Sequence, residues 1–194
     1  MDRKRVVLVT GGTRSGKSEF AEQMAFLMKG PVTYVATMAP GDDEMARRVA
    51  LHRERRPGSW TTVEEMTDIP GVINRVGEKP GVILVDCLTG WLSNLLLDEN
   101  MPRLGASDQE KETYISTKVE GLVASASGSK ASVLIVSDEV GMGLVPPYPL
   151  GRLFRDISGK ANRRIALAAN EVYLVVSGLA IEIKSLAVNL KGRN

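Results

Sequence analysis

Aromatic side chains make up only 5% of the 194 residues, cysteine occurs once, at Cys87, and histidine once, at His52. A lone cysteine excludes an internal disulfide and a cysteine-built metal site, and it suits a reducing compartment. With 43% hydrophobic content and so few rings, the core has to come from Val, Leu, Ile and Ala. That suits one compact α/β domain over residues 1–194. No apolar run approaches the ~20 residues a membrane-spanning helix needs. The charged start Met1 to Arg5 leads through a short apolar run straight into glycines, a pattern unlike a signal peptide. Neither sign of charge dominates: 25 basic residues face 23 acidic ones, a formal charge of +2, which gives no electrostatic case for a nucleic-acid partner. The expectation is a soluble cytoplasmic protein, with no membrane span, in which any anion site is local.

Against these absences one stretch stands out. Gly11, Gly12, Thr13, Arg14, Ser15, Gly16, Lys17 and Ser18 carry the P-loop spacing of Gly, four residues, Gly, Lys, then Ser or Thr. The β-branched run Arg5 to Val9 before it and the helix-forming composition of Glu19 to Met28 after it supply the strand and helix the motif requires. Glycines let the backbone wrap closely, so that N–H groups and the helix N-terminus converge on phosphate oxygens. Lys17 would reach the β- and γ-phosphates and the Ser18 hydroxyl would hold Mg2+.

Downstream, strands and helices alternate. Val32 to Ala36 reads as a strand opening into a loop at Thr37 to Gly41, and Asp42 to His52 as a short amphipathic helix closed by Pro57 and Gly58. Trp60 to Val63 fits a short strand, and Ile69 to Val76 a short helix or loop. Val82 to Val85 is a continuous apolar run ending in Asp86, the way a buried parallel strand delivers a carboxylate to the edge of a sheet. The competing role for Asp86 is to cap the helix Leu88 to Leu97. A polar connection, Asp98 to Ser107, precedes a helix bearing Ile115, Val119, Leu122 and Val123 on one face. Ala131 to Val136 is another buried strand, ending in Ser137, Asp138 and Glu139. Pro149 opens a long helix with Leu150, Leu153, Phe154, Ile157, Ala161, Ile165 and Ala168 as its apolar stripe. Its polar side, with Arg152, Arg155, Lys160, Asn162, Arg163 and Arg164, reads as a solvated face. Val172 to Val176 and Leu179 to Ile183, joined by Ser177 and Gly178, form a hairpin. The whole predicts an α/β three-layer sandwich with a mostly parallel sheet, a C-terminal antiparallel hairpin, and ligands at the strand C-termini.

His52 sits among Arg53, Arg55 and Arg56. A helix C-terminus raises an imidazole pKa and neighbouring guanidinium groups lower it. If the arginines dominate, the ring is neutral and nucleophilic near pH 7. Its apolar partners Met45 and Val49 speak instead for an inert packed residue.

Gly11 to Ser18, Tyr34-Val-Ala-Thr37, Asp42 to Met45, His52 with Arg56-Pro57, Val85 to Thr89 with Ser93-Asn94, Glu139 to Gly143, Phe154-Arg-Asp156 and Val175 to Gly178 occur in this order. Together they closely resemble the bifunctional adenosylcobinamide kinase and adenosylcobinamide-phosphate guanylyltransferase of cobalamin biosynthesis, over roughly residues 5 to 184. The resemblance implies a P-loop NTPase fold of the RecA-like kind and a homotrimer. It implies two reactions: phosphorylation of adenosylcobinamide with ATP or GTP, then transfer of GMP from GTP to adenosylcobinamide phosphate through a guanylyl-histidine. His52 stands at the position of that histidine, with Lys17 serving the phosphates. Ala36, Thr37, Met38, Arg53, Glu54, Arg55, Arg56, Glu64 and Asp86 fall where family members contact GTP. Asp86 and Glu139 are the candidates to hold Mg2+ or accept the hydroxyl proton. Some relatives have Glu at Asp86, Asn at Asp138 and a second histidine at Leu51, so Asp138 receives no role on sequence grounds. The alternatives are a P-loop kinase for another small hydroxyl substrate, with His52 inert, and a nucleotide-dependent switch module whose loop Gly141 to Pro149 responds to the γ-phosphate.

Overall fold

The computed structural model describes residues 4–38 and 56–188. The expected helix over Asp42 to His52 therefore lies outside the described residues, as do the last six residues. The described chain forms β1 (Val6–Gly11), α1 (Lys17–Leu27), β2 (Val32–Ala36), β3 (Thr61–Glu64), α2 (Ile69–Val76), β4 (Val82–Asp86), α3 (Leu88–Leu97), α4 (Asp108–Gly128), β5 (Ser132–Asp138), α5 (Pro149–Ala168), β6 (Glu171–Val176) and β7 (Leu179–Glu182). A single 3-10 turn, Val140–Met142, links β5 to α5.

All seven strands make one sheet in the order β3-β2-β4-β5-β1-β6-β7. Every pairing is parallel except β6 with β7, which is antiparallel. The hairpin turn is Ser177-Gly178, both at positive φ (52° and 80°), the geometry of a two-residue turn that matches strand twist.

The central strands read as continuous hydrophobic runs because both faces of the sheet are covered. Leu8, Ile83, Val85, Val133 and Ile135 point to a core shared with α2, α3, α4 and α5. Their neighbours Val7, Val9, Val82, Leu84, Leu134 and Val136 point the other way, onto Ala21 and Ala25 of α1. The alternation is the two-residue period of a strand, and full burial of each such side chain stabilises the fold by about 1.5–3 kcal/mol.

Local chemistry sets the helix starts. Asp68 accepts from Gly71 N–H to begin α2 (3.2 Å), with Pro70 in its first turn, and Ser107 and Glu110 form a reciprocal capping box at α4. The cap of α3 is Cys87, whose Sγ accepts from Gly90 N–H at 3.3 Å. Asp86 is therefore not the cap, and its carboxylate remains with the sheet edge. A second correction concerns α5: Asn162, expected on a solvated face, is buried, while Leu150, expected in the apolar stripe, is exposed. Among the described residues no helix is long and apolar enough to cross a membrane.

Candidate active site

The strand register collects the predicted residues at one edge of the sheet. Ala36 pairs with Glu64 on one side and with Asp86 on the other, and Gly11 pairs with Asp138. These are the last residues of β2, β3, β4, β1 and β5, so the carboxylates stand where parallel strands open toward ligands.

The P-loop lies over this edge. Gly11 approaches the neighbouring strand so closely that a Cβ would stand 2.4 Å from the Val175 carbonyl, and Gly16 adopts φ +93°, a conformation that suits glycine. Gly178 N–H donates to the Ser15 carbonyl at 2.8 Å, so the β6–β7 turn buttresses the loop. Gly16 offers α1 no side-chain cap. The first-turn amides are thus left to an anion, in the manner of phosphate sites at helix N-termini. Lys17 folds into the site: its Nζ donates to the Gly12 carbonyl (3.2 Å) and lies 2.5 Å from Asp138 Oδ1.

Asp86 is held between two hydroxyls. Ser18 Oγ stands 3.4 Å from Oδ1, and the Tyr34 hydroxyl donates to Oδ2 at 2.8 Å. Burial first, and then the Asp86 charge, push the Tyr34 phenol far above its ordinary pKa, so it stays a donor. The Arg56 guanidinium lies 3.4 Å above the Tyr34 ring, and its Nη1 donates to Thr62 Oγ1 at 3.4 Å. Burial, with the Asp86 charge beside it, pushes the Cys87 thiol up to about 11, which keeps it neutral in its capping role.

Thr37 has an architectural part. Its hydroxyl donates to the Cys87 carbonyl (2.7 Å) and accepts from Cys87 N–H (2.8 Å), its N–H donates to the Asp86 carbonyl (3.2 Å), and its carbonyl accepts from Asn94 (2.7 Å). These bonds tie the end of β2 to the end of β4 and leave Met38, which is exposed, as the outward side chain of the Ala36–Met38 trio. Glu139 N–H donates to the Gly11 carbonyl (3.0 Å), and Asn162 Nδ2 reaches Glu139 Oε2 at 3.4 Å. Sequence reasoning missed two participants: Asp138, the partner of Lys17, and Asn162, which donates to the Asp138 carbonyl (3.1 Å) and shares a 2.6 Å bond with Ser137. The signal for Asn162 was an amide within the polar side of a helix whose apolar stripe faces the sheet.

A family model described as cobinamide kinase / cobinamide phosphate guanyltransferase matches residues 7–183. The chain belongs to this family. Among curated proteins it is 41% identical over 185 residues to the bifunctional adenosylcobalamin biosynthesis protein CobU of Escherichia coli, covering 92% of this chain and 99% of that one. It is 38% identical over 177 residues to the corresponding protein CobP of Pseudomonas aeruginosa, covering 91% and 96%. Among solved structures, an ATPase of the type III secretion system of pathogenic bacteria superposes with a TM-score of 0.52 at 12% identity, covering 96% of this chain and 59% of that chain. A protein of Pyrococcus horikoshii OT3 gives 0.54 at 9% identity, covering 96% and 88%. These two likenesses concern the fold alone.

Of the site residues expected from the sequence, His52, Arg53, Glu54 and Arg55 lie outside the described residues. Arg56, the residue that follows them, is anchored on Tyr34. The P-loop, Ala36, Thr37, Glu64 and Asp86 gather at the same sheet edge.

Proposed function

We propose that residues 1–194 form a single catalytic unit that phosphorylates the aminopropanol hydroxyl of adenosylcobinamide with ATP or GTP and then transfers GMP from GTP to that phosphate. The first step releases ADP or GDP, and the second yields adenosyl-GDP-cobinamide and pyrophosphate. Membership of the cobinamide kinase and guanyltransferase family supports both steps. The observation that carries the proposal is the convergence of Lys17, Ser18 and Asp86 at the P-loop, next to Arg56 at the end of the histidine segment. Three residues separate His52 from Arg56, so the four Cα–Cα steps between them span at most about 14 Å.

Ser18 and Asp86 present hydroxyl and carboxylate oxygens, the hard donors that Mg2+ takes, and Mg2+ commonly uses one or two protein oxygens together with substrate phosphates. They would hold it, and the ion when bound would neutralise charge on the transferring phosphates. Lys17 and the α1 amides bind and orient those phosphates. In the kinase step they align the γ-phosphorus with the incoming hydroxyl, and Glu139 is the residue we place to receive its proton. In the guanylyl step a His52 nitrogen attacks the α-phosphorus and the bond to pyrophosphate breaks. The phosphate of adenosylcobinamide phosphate then attacks the same phosphorus and the P–N bond breaks, which regenerates His52. Arg53, Arg55 and Arg56 stabilise the departing pyrophosphate, and Ala36, Met38, Glu54 and Glu64 border the nucleotide. We place the unit in a cytoplasmic homotrimer.

The test is incubation with magnesium and GTP labelled on the α-phosphate, followed by denaturation, with His52→Ala alongside. The expected outcome is a label that is stable to base, released by acid, and absent from the variant. Wild-type protein that binds GTP and phosphorylates cobinamide but takes up no label would leave a plain kinase.

A further inference from the structure

Lys17 already has an anion. Its ammonium rests 2.5 Å from Asp138 Oδ1 and donates to the Gly12 carbonyl. The lysine side chain is only 11% exposed and the aspartate side chain 27%, so the pair is only partly open to water. Asp138 is itself fixed. Its Oδ2 accepts from the Thr89 hydroxyl at 2.7 Å, its carbonyl accepts from Asn162, and its register opposite Gly11 puts it at the mouth of the loop. Both carboxylate oxygens are thus engaged, one by the lysine and one by a buried threonine.

A P-loop lysine serves the β- and γ-phosphates of a nucleotide. The same ammonium cannot keep a close ion pair with Asp138 and give itself fully to a triphosphate, and a carboxylate left beside that triphosphate repels it. We propose that Asp138 is a built-in competitor of the nucleotide: it seats Lys17 in the ligand-free protein, and a magnesium nucleoside triphosphate binds by taking Lys17 away from it. Asp138 is then an affinity-setting residue. It holds Lys17 neutralised at the P-loop, and it lowers the affinity for any ligand whose β- and γ-phosphates must recruit that lysine. The inference rests on the nucleotide-binding reading of the P-loop.

The experiment is titration of the full-length protein with a fluorescent N-methylanthraniloyl GTP at saturating magnesium, comparing wild type with Asp138→Asn. The amide keeps the shape of the side chain and removes the charge. The expected result is a Kd between about threefold and tenfold lower for the variant. Removing a residue that merely shaped the loop would weaken binding instead, so the sign of the change separates the two roles. Asp138→Ser, which removes the charge with a shorter side chain, is expected to lower Kd in the same direction, and it serves as the measurement if Asp138→Asn folds poorly. An unchanged or higher Kd in the variant measured overturns the competitor role. Failure of the wild type to bind the probe at all would instead remove the functional reading itself.

Discussion

Tyr34 joins two parts of the site through different ends of one side chain. Its hydroxyl donates to Asp86 Oδ2, and its ring carries the Arg56 guanidinium. A hydrogen bond to a charged group contributes about 1.5–3 kcal/mol, and here it orients the carboxylate whose other oxygen faces Ser18. Tyr34→Phe removes the hydroxyl and keeps the ring under Arg56. The expected consequence is a several-fold rise in the magnesium concentration that gives half-maximal GTP binding, together with a melting temperature lower by a few degrees. Fluorescence titration of GTP binding against magnesium checks it, and an unaltered magnesium dependence would contradict a positioning role for this hydroxyl. The sequence assigns Asp138 no part, because some relatives of the family it resembles have Asn there. Its meaning came from the side chain that happens to point at it.

The β6–β7 hairpin is held by one carboxylate at the element scale. Glu182 Oε1 accepts from the N–H groups of Val172 (2.9 Å) and Lys184 (3.0 Å), and Oε2 from Ser185 N–H (2.8 Å). The Ser185 hydroxyl and these amides hold the Glu182 carboxyl down to about 2, against an ordinary value of 4.5. A carboxyl depressed in the folded state stabilises it fully above the unfolded value and loses that contribution as pH falls through the folded one. The gap in melting temperature between wild type and Glu182→Gln should therefore be widest above pH 4.5 and close as pH approaches 2. Calorimetric melts across that range check it, and a gap independent of pH would show that the carboxylate charge is not what anchors the hairpin. Because the hairpin turn supports the P-loop through Gly178 and Ser15, the element that closes the sheet also steadies the phosphate site.

Over the whole molecule, the sheet buries both faces of its central strands, but its β7 edge ends in open residues. Leu179 is 73% exposed and Ile181 50%, while Met142 and Leu144 stand out on the segment between β5 and α5 at 79% and 96%. The homotrimer we propose would cover apolar side chains of this kind. Light scattering on the purified protein should return three times the mass of one chain, and a mass of one chain at micromolar concentration would remove that proposal.

Much of this protein was legible in its residues. The P-loop has a fixed spacing because backbone amides must converge on phosphate, and strands buried on both faces have to be apolar throughout, so the strands β1, β2, β4 and β5, and the hairpin, could be read before any coordinates. Asp86 was legible for the same reason, as the first polar residue after a buried run. Strand order was not. The pairing of β5 between β4 and β1 brings Asp138 opposite Gly11, and neither residue encodes that neighbour locally. The burial of Asn162, the lock that Thr37 makes on Cys87, and the stacking of Arg56 on Tyr34 likewise arise only when distant segments meet. Period and composition set what each segment becomes, because those depend on near neighbours along the chain. Which charges face one another depends on the register of the sheet, and only the tertiary structure decides that.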